Sequence, residues 1–252
     1  CEEMIDDMRY RWVKVNPYKG NGIGRIISMF SFVTKLYCNY RRYLRNFKPD
    51  IVIASSTYPL DIYPAYRIAR HYHAKLIYEV HDLWPLSPME LGGYSKKHPF
   101  IRIMQKAEDD CYRYADAVVS MLPKAEEHMR EHGLTRDKFH YVPNGIVLSD
   151  WNNPKGIPEE HGLLLSKLRA EGKFIVGFAG AHGIANSLYA VIDAVSSLTE
   201  QNVVLVLVGG GQEKENLIKY AHKKDTMFVD VQNNRSSGRV VPPLAAGRSP
   251  TD

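Results

Sequence analysis

Cysteine is scarce in this chain of 252 residues, and long apolar runs are absent. Cys1, Cys38 and Cys111 are too few and too scattered for a disulfide framework or a cysteine-based zinc site, which points to a reducing compartment. Cys38 and Cys111 read as small core hydrophobes. The longest clearly apolar run is Val203-Val-Leu-Val-Leu-Val208, far short of the roughly 20 residues that cross a bilayer. No Gly-x-Ser-x-Gly elbow and no His-Glu-x-x-His occurs, which removes two hydrolase classes. His71 and His73 lie two apart with no third ligand nearby, so they suit a helix end better than a metal. One-sided charge is also missing. The net charge is +5, and residues 233–252, with three Arg and one Asp, supply +2 of it. The remaining +3 is weak ground for a nucleic-acid partner.

The ends lack further things. The opening Cys1-Glu2-Glu3 has no initiating Met and no secretory signal, and it reaches a strand-like Arg11-Trp-Val-Lys-Val15 at once. Residues 233–252 show neither a helical nor a strand period and read as a linker, a frameshifted end or vector translation. The chain is therefore expected to be the middle of a longer protein. What is present is an ordinary globular composition, 44% hydrophobic and 24% charged, at a length that allows one large or two small domains.

Residues 25–47 read as one helix, with Ile26, Phe30, Val33, Tyr37, Tyr40 and Leu44 as its inward stripe. Lys35, Arg41, Arg42, Arg45 and Lys48 crowd its second half. They suit a solvated face and a helix C-terminus, or alternatively contact with anionic lipid or a phosphorylated acceptor. Short apolar strands then alternate with helices. The strands are expected at 51–54, 75–80, 117–120 and 139–142, and the helices at 64–71, 100–114 and 123–131. Near-continuous apolar strands of this kind belong to a parallel sheet covered on both faces. After Pro143-Asn-Gly145 a polar stretch reads as a domain crossing, and a second β-α-β-α-β unit follows over 174–231. The fold class is α/β. The expected domains are 1–150 and 151–232, with 233–252 as a tail.

Open parallel sheets bind ligands beyond the carboxyl ends of their strands, and three such ends carry chemistry. In Val80-His-Asp-Leu-Trp-Pro85 a strand delivers His81, Asp82 and Trp84 into a loop. His81 suits orienting a sugar hydroxyl or stabilising charge, or equally capping backbone groups. In Gly177-Phe-Ala-Gly-Ala-His-Gly-Ile-Ala-Asn186 the glycines let backbone amides approach an anion at a helix start. The spacing fits neither a Walker A nor Gly-x-Gly-x-x-Gly, and a tight turn that binds nothing is the other reading. In Val208-Gly-Gly-Gly-Gln-Glu213 three glycines suggest close approach of a ligand or of the other domain. The run Gly20-Asn-Gly-Ile-Gly-Arg25 could wrap an acceptor or form a surface loop.

Taken in order, Leu76-Ile-Tyr-Glu-Val-His-Asp-Leu-Trp-Pro85, Tyr114-Ala-Asp-Ala-Val-Val-Ser120, Tyr141-Val-Pro-Asn-Gly-Ile146 and Val204-Leu-Val-Leu-Val-Gly-Gly-Gly211 form a recognisable series. The sequence resembles family-4 glycosyltransferases over about residues 4–231, with Val-Pro-Asn-Gly-Ile as the most specific piece. The loop 179–186 resembles that of bacterial O-antigen and capsule transferases of the fucosamine or N-acetylglucosamine type. The resemblance implies a GT-B fold of two Rossmann-like domains, both incomplete here, with the active site in the cleft between them. It implies retaining transfer from a nucleotide-diphosphate sugar, UDP-linked, with no metal and no other cofactor. His81 matches the family's sugar-facing histidine. Gly180, His182, Gly183 and Asn186 match the donor loop, with Gly209 and Gly210 beside it. Asp82, Trp84, Gly22 and Arg25 fall on the acceptor side.

The acceptor implied is a lipid-linked sugar or glycan in surface polysaccharide assembly. The place implied is the cytoplasm, at the inner face of the plasma membrane through the basic helix. Two departures stand out. Ala181 or His182, together with Asn186, stands where many relatives carry an Arg and a Lys on the donor loop, and no Glu-x7-Glu pair occurs anywhere. The family's first strand and its glycine turn are also missing ahead of residue 1. A catalytically incomplete binding or scaffold protein is therefore the second reading. A sugar-nucleotide epimerase relative is a third, against which Val-Pro-Asn-Gly-Ile argues.

Overall fold

A computed structural model describes residues 2–18, 22–153, 156–198, 202–224, 226, 228–231 and 239–241. The chain divides into two compact units, residues 1–146 and 147–252.

The first unit opens on an antiparallel hairpin, β1 (Glu2–Ile5) and β2 (Met8–Arg11). Asp6 and Asp7 turn it with φ of 48° and 63°, the left-handed pair that a tight hairpin turn needs. The strand expected at 11–15 thus ends where it was meant to begin, because the Asp-Asp turn sets the register. Helix α1 (Ile23–Tyr43) follows, bent at Asn39, where φ is −118°. Its buried residues are Ser28, Met29, Val33 and Tyr40. Phe30 and Tyr37, expected inward, are exposed. Tyr37 instead lies 4.4 Å beneath the Arg67 guanidinium, a cation–π contact that keeps the ring useful at the surface. Arg11 donates to the carbonyls of Arg42 and Tyr43 and so caps the end of α1.

The sheet of this unit is β3 (Ile51–Ala54), β4 (Lys75–Val80), β5 (Ala117–Ser120) and β6 (Phe139–Tyr141), all parallel and in that order. Between them run α2 (Ile62–Tyr72), α3 (Leu86–Gly92), α4 (Pro99–Tyr114) and α5 (Ala125–Glu131). One face of β4, with Leu76, Tyr78 and Val80, packs on Ile62, Cys111, Tyr112 and Met129. Cys111 is a core hydrophobe, whereas Cys38 is exposed.

In the second unit α6 (Leu148–Asn152) and α7 (Glu159–Ala170) occupy part of the stretch read as a polar crossing. α7 hid from the sequence because only Leu168 of its twelve residues is buried. The sheet has the order β10-β9-β8-β7, from β7 (Phe174–Ala179), β8 (Val203–Val208), β9 (Phe228–Val231) and β10 (Arg239–Val241). The first three are parallel, and β10 runs antiparallel to β9. Three residues of the stretch without strand period thus form a strand, too short to show alternation. Residues 232–238 and 242–252 lie outside the described residues. Helices α8 (Leu188–Ser196) and α9 (Lys214–Lys223) pack Leu188, Ile192 and Leu217 on Leu205 and Leu207.

Candidate functional site

The site of the first unit grows from the carboxyl ends of β3 and β4. Period two places Glu79 and His81 on one side of β4, opposite core-facing Val80. The register Ala54↔Tyr78 sets Ser55 beside them. Ser55 Oγ lies 2.6 Å from Glu79 Oε2 and 3.1 Å from His81 Nε2, and Nε2 lies 3.5 Å from Glu79 Oε2. A hydroxyl has one hydrogen, and the carboxylate takes it. In the neutral imidazole, His81 Nε2 then donates to Ser55 and Nδ1 keeps the lone pair that can accept from a ligand hydroxyl. The imidazole is 39% exposed, enough for a ligand to reach it. Serine, carboxylate and imidazole all meet at one ring nitrogen, so this is no nucleophilic triad, in which the acid holds the other nitrogen.

Trp84 and Arg25 come together, with the guanidinium 5.7 Å from the indole centroid. Gly22 is the N-cap of α1, and Arg25 N–H donates to its carbonyl at 3.0 Å. Trp84 also packs edge-on against Phe100 and belongs to the cluster of Met29, Leu60 and Met104, so it has a structural share as well. Asp82 is exposed in the loop after His81. After β3, Asp61 is buried, and burial lifts its carboxyl from 3.8 to about 6 against a hydrogen bond from Ser56. Burial and the Asp61 charge likewise push Tyr58 up to about 12, with Arg25 opposing.

In the second unit the two glycine loops pack on each other. Gly180 N–H donates to Val208 O at 2.9 Å and His182 N–H to Gly210 O at 2.8 Å. A Cβ on Gly209 would stand 2.0 Å from Gly180 O, and one on Gly211 would stand 2.3 Å from His182 O. These glycines permit contact between neighbouring loops. The expected close approach of a ligand or another domain is not what requires them. Gly210 has open space around it. His182 is 1% exposed and sits by the Phe178 ring, so its imidazole supports the loop from behind and offers a donor no exposed surface. Asn186 Nδ2 donates to Ala181 O at 2.6 Å and braces the same loop. Gly183 leads through a 3₁₀ turn at Ile184–Asn186 into α8, whose first turn carries positive partial charge.

Sequence reasoning missed Ser55, Glu79 and Lys214. The first two lie 24 residues apart and meet only through strand pairing. Lys214, at the start of α9, donates to Gly209 O at 3.1 Å and so brings a cation to the glycine loops. No single-strand pattern marks it.

Parallel α/β units with ligand-competent strand ends are the halves of a GT-B fold. Residues 1–145 match the glycosyl transferase 4-like domain, and the chain belongs to that family. Its structure is similar to sucrose-phosphate synthase from Thermosynechococcus elongatus, with a TM-score of 0.67 and 15% identity over 91% of this chain and 56% of that one. It is also similar to HepE from Anabaena in complex with UDP and glucose, with a TM-score of 0.54 and 19% identity over 83% and 50% of the two chains. A glycosyltransferase from Rickettsia africae gives a TM-score of 0.54 at 13% identity, over 86% and 54%. The chain thus spans about half the length of these structures. No curated protein matches it.

Proposed function

We propose that this chain is part of a glycosyltransferase that moves a sugar, with retention, from a UDP-linked donor to a lipid-linked sugar or glycan in bacterial surface polysaccharide assembly. The observation that carries the reading is family membership over the unit that holds His81 in its Ser55 and Glu79 brace. The solved relative from Anabaena contains UDP and glucose, which favours a uridine nucleotide here. In this reading His81 Nδ1 meets the donor sugar. The α8 N-terminus with Gly180, Gly183 and Asn186 meets the diphosphate, and Lys214 adds the charge that Ala181 and His182 do not provide. Asp82, Trp84, Gly22 and Arg25 belong to the acceptor side. The transfer needs no metal, and Arg41, Arg42 and Arg45 at the end of α1 face anionic lipid on the cytoplasmic side of the plasma membrane. The donor-loop match to the fucosamine and N-acetylglucosamine transferases makes an amino sugar the first donor to try.

Ligand-observed NMR titration with UDP, UDP-glucose and UDP-N-acetylglucosamine tests this. Saturable binding in which the three compete supports it. A folded chain that shows no saturable UDP binding at millimolar concentration overturns it. One observation favours a purely binding role instead: two amides of the donor loop are already spent on Val208 and Gly210 carbonyls. Binding of UDP-sugar with neither hydrolysis nor transfer would select that role.

A further inference from the structure

A cluster of donor atoms in the first unit shares no residue with the His81 site. Glu108 and Asp109 lie in the second half of α4, while His128 lies on α5 and His132 caps its C-terminus, one helical turn apart. Side chains four apart share a helix face. Both helix ends lead back into the starts of β5 and β6, the end of a parallel sheet where ligands of the reaction do not bind. Glu108 is 1% exposed, and its Oε1 lies 3.1 Å from His128 Nε2 and 2.9 Å from the Tyr112 hydroxyl. His132 Nδ1 lies 3.0 Å from Asp109 Oδ1. One ligand atom each from Glu108, His128 and His132 falls within 4.8 Å of the others.

The hydrogen bonds of the cluster conflict. Gln105 Nε2 lies 2.7 Å from Glu108 Oε2, 3.0 Å from Asp109 Oδ1 and 2.8 Å from His132 Nδ1. An amide has two hydrogens, and three groups surround it. If His132 Nδ1 carries a hydrogen for Asp109, it opposes the amide hydrogens. If it is bare, its lone pair opposes the Asp109 carboxylate. With both carboxylates ionised, one like-against-like contact remains in either case. A cation among these lone pairs removes the conflict, and Gln105 turned over presents its carbonyl oxygen instead of its amide hydrogens.

We infer that Glu108, His128 and His132 form a divalent transition-metal site that clips α4 to α5, with Asp109 or water as fourth ligand. Two imidazoles and a carboxylate suit zinc and its borderline neighbours, whereas magnesium and calcium prefer all-oxygen sets. The role is structural, since the site lies at the starts of the strands and shares no residue with the His81 brace.

The test is calorimetric titration of the full chain with zinc chloride, with magnesium chloride as comparison, followed by thermal melts. One zinc per chain is expected, with no competition from magnesium and a raised melting temperature. The double variant His128→Ala with His132→Ala should weaken zinc binding about 100-fold or more, because even outer-shell partners are worth 10–100-fold. His71→Ala with His73→Ala should leave it unchanged. Glu108→Gln, which keeps shape, is checked for folding by circular dichroism before its affinity is read. Absence of stoichiometric zinc uptake overturns the inference. So does equal affinity in the His128 and His132 double variant, or loss of binding in the His71 and His73 pair.

Discussion

At the scale of the residue, His81 carries the sharpest chemical expectation. In a transferase active on sugar, His81→Ala should lower turnover by roughly 10²–10³-fold, the worth of one hydrogen bond made to developing charge, and leave nucleotide affinity nearly intact. A histidine that merely capped the loop would cost about 1 kcal/mol of stability and spare turnover. Side-by-side turnover, affinity and melting measurements separate the two. His81 was legible because it ends an apolar strand. Its brace was not, since Ser55 and Glu79 become neighbours only through the pairing of β3 with β4. Asp61 was equally hidden, as nothing local says that an acid before a helix will be buried. Its folded pKa, about 6, lies above the ordinary 3.8. Its contribution to stability is therefore complete below pH about 4 and is lost as pH rises through about 6. Asp61→Asn should remove that slope and, at pH 8, stabilise the chain by up to about 3 kcal/mol. Urea unfolding at pH 4, 6 and 8 reads this directly, and parallel curves for the two proteins would contradict it.

At the scale of the element, the strands of the two parallel sheets were legible, whereas the opening hairpin and the short β10 were not. Apolar runs such as Val203–Val208 announce a doubly covered parallel strand and fall where the structure has them. Helix α7 escaped because it buries a single leucine, and the stripe of α1 was misplaced ahead of its bend, where Met29 is buried in place of Phe30 and Tyr37 lies at the surface under Arg67. The glycines after β8 were noticed, yet their reason is the carbonyls of the neighbouring loop. That reason separates three adjacent positions. Gly211→Ala drives a Cβ into His182 O at 2.3 Å, and Gly209→Ala drives one into Gly180 O at a φ of 142°. Each should cost about 2–3 kcal/mol through overpacking and backbone strain. Gly210→Ala, with open space around it, should be nearly neutral. Thermal melts of the three variants check the ordering, and equal losses at all three would refute loop packing as the cause.

At the scale of the whole molecule, apolar surface is left in view at β3, the hairpin and the start of α1. Ile51 and Ile53 on β3 are 55% and 58% exposed, and among the described residues β3 pairs on one side only, with β4. A cavity of about 690 Å³ lies between the hairpin and the helices, lined by Met4, Met8, Phe32, Leu36 and Phe47 among others. Ile23 at the start of α1 is 75% exposed. A strand with one open edge and two exposed isoleucines is a template for pairing with another chain, and exposed apolar patches bind dyes and each other. This protein alone should therefore bind an apolar fluorescent dye and associate with rising concentration. A charge on an edge strand opposes such pairing. Ile51→Lys with Ile53→Lys should thus reduce association measured by light scattering, while the melting temperature moves little because both side chains already face solvent. If instead the doubly substituted chain melts far lower with association unchanged, these isoleucines are packed in solution and β3 is not the exposed edge. Monomeric, dye-free behaviour of the parent chain at high concentration would lead to the same conclusion.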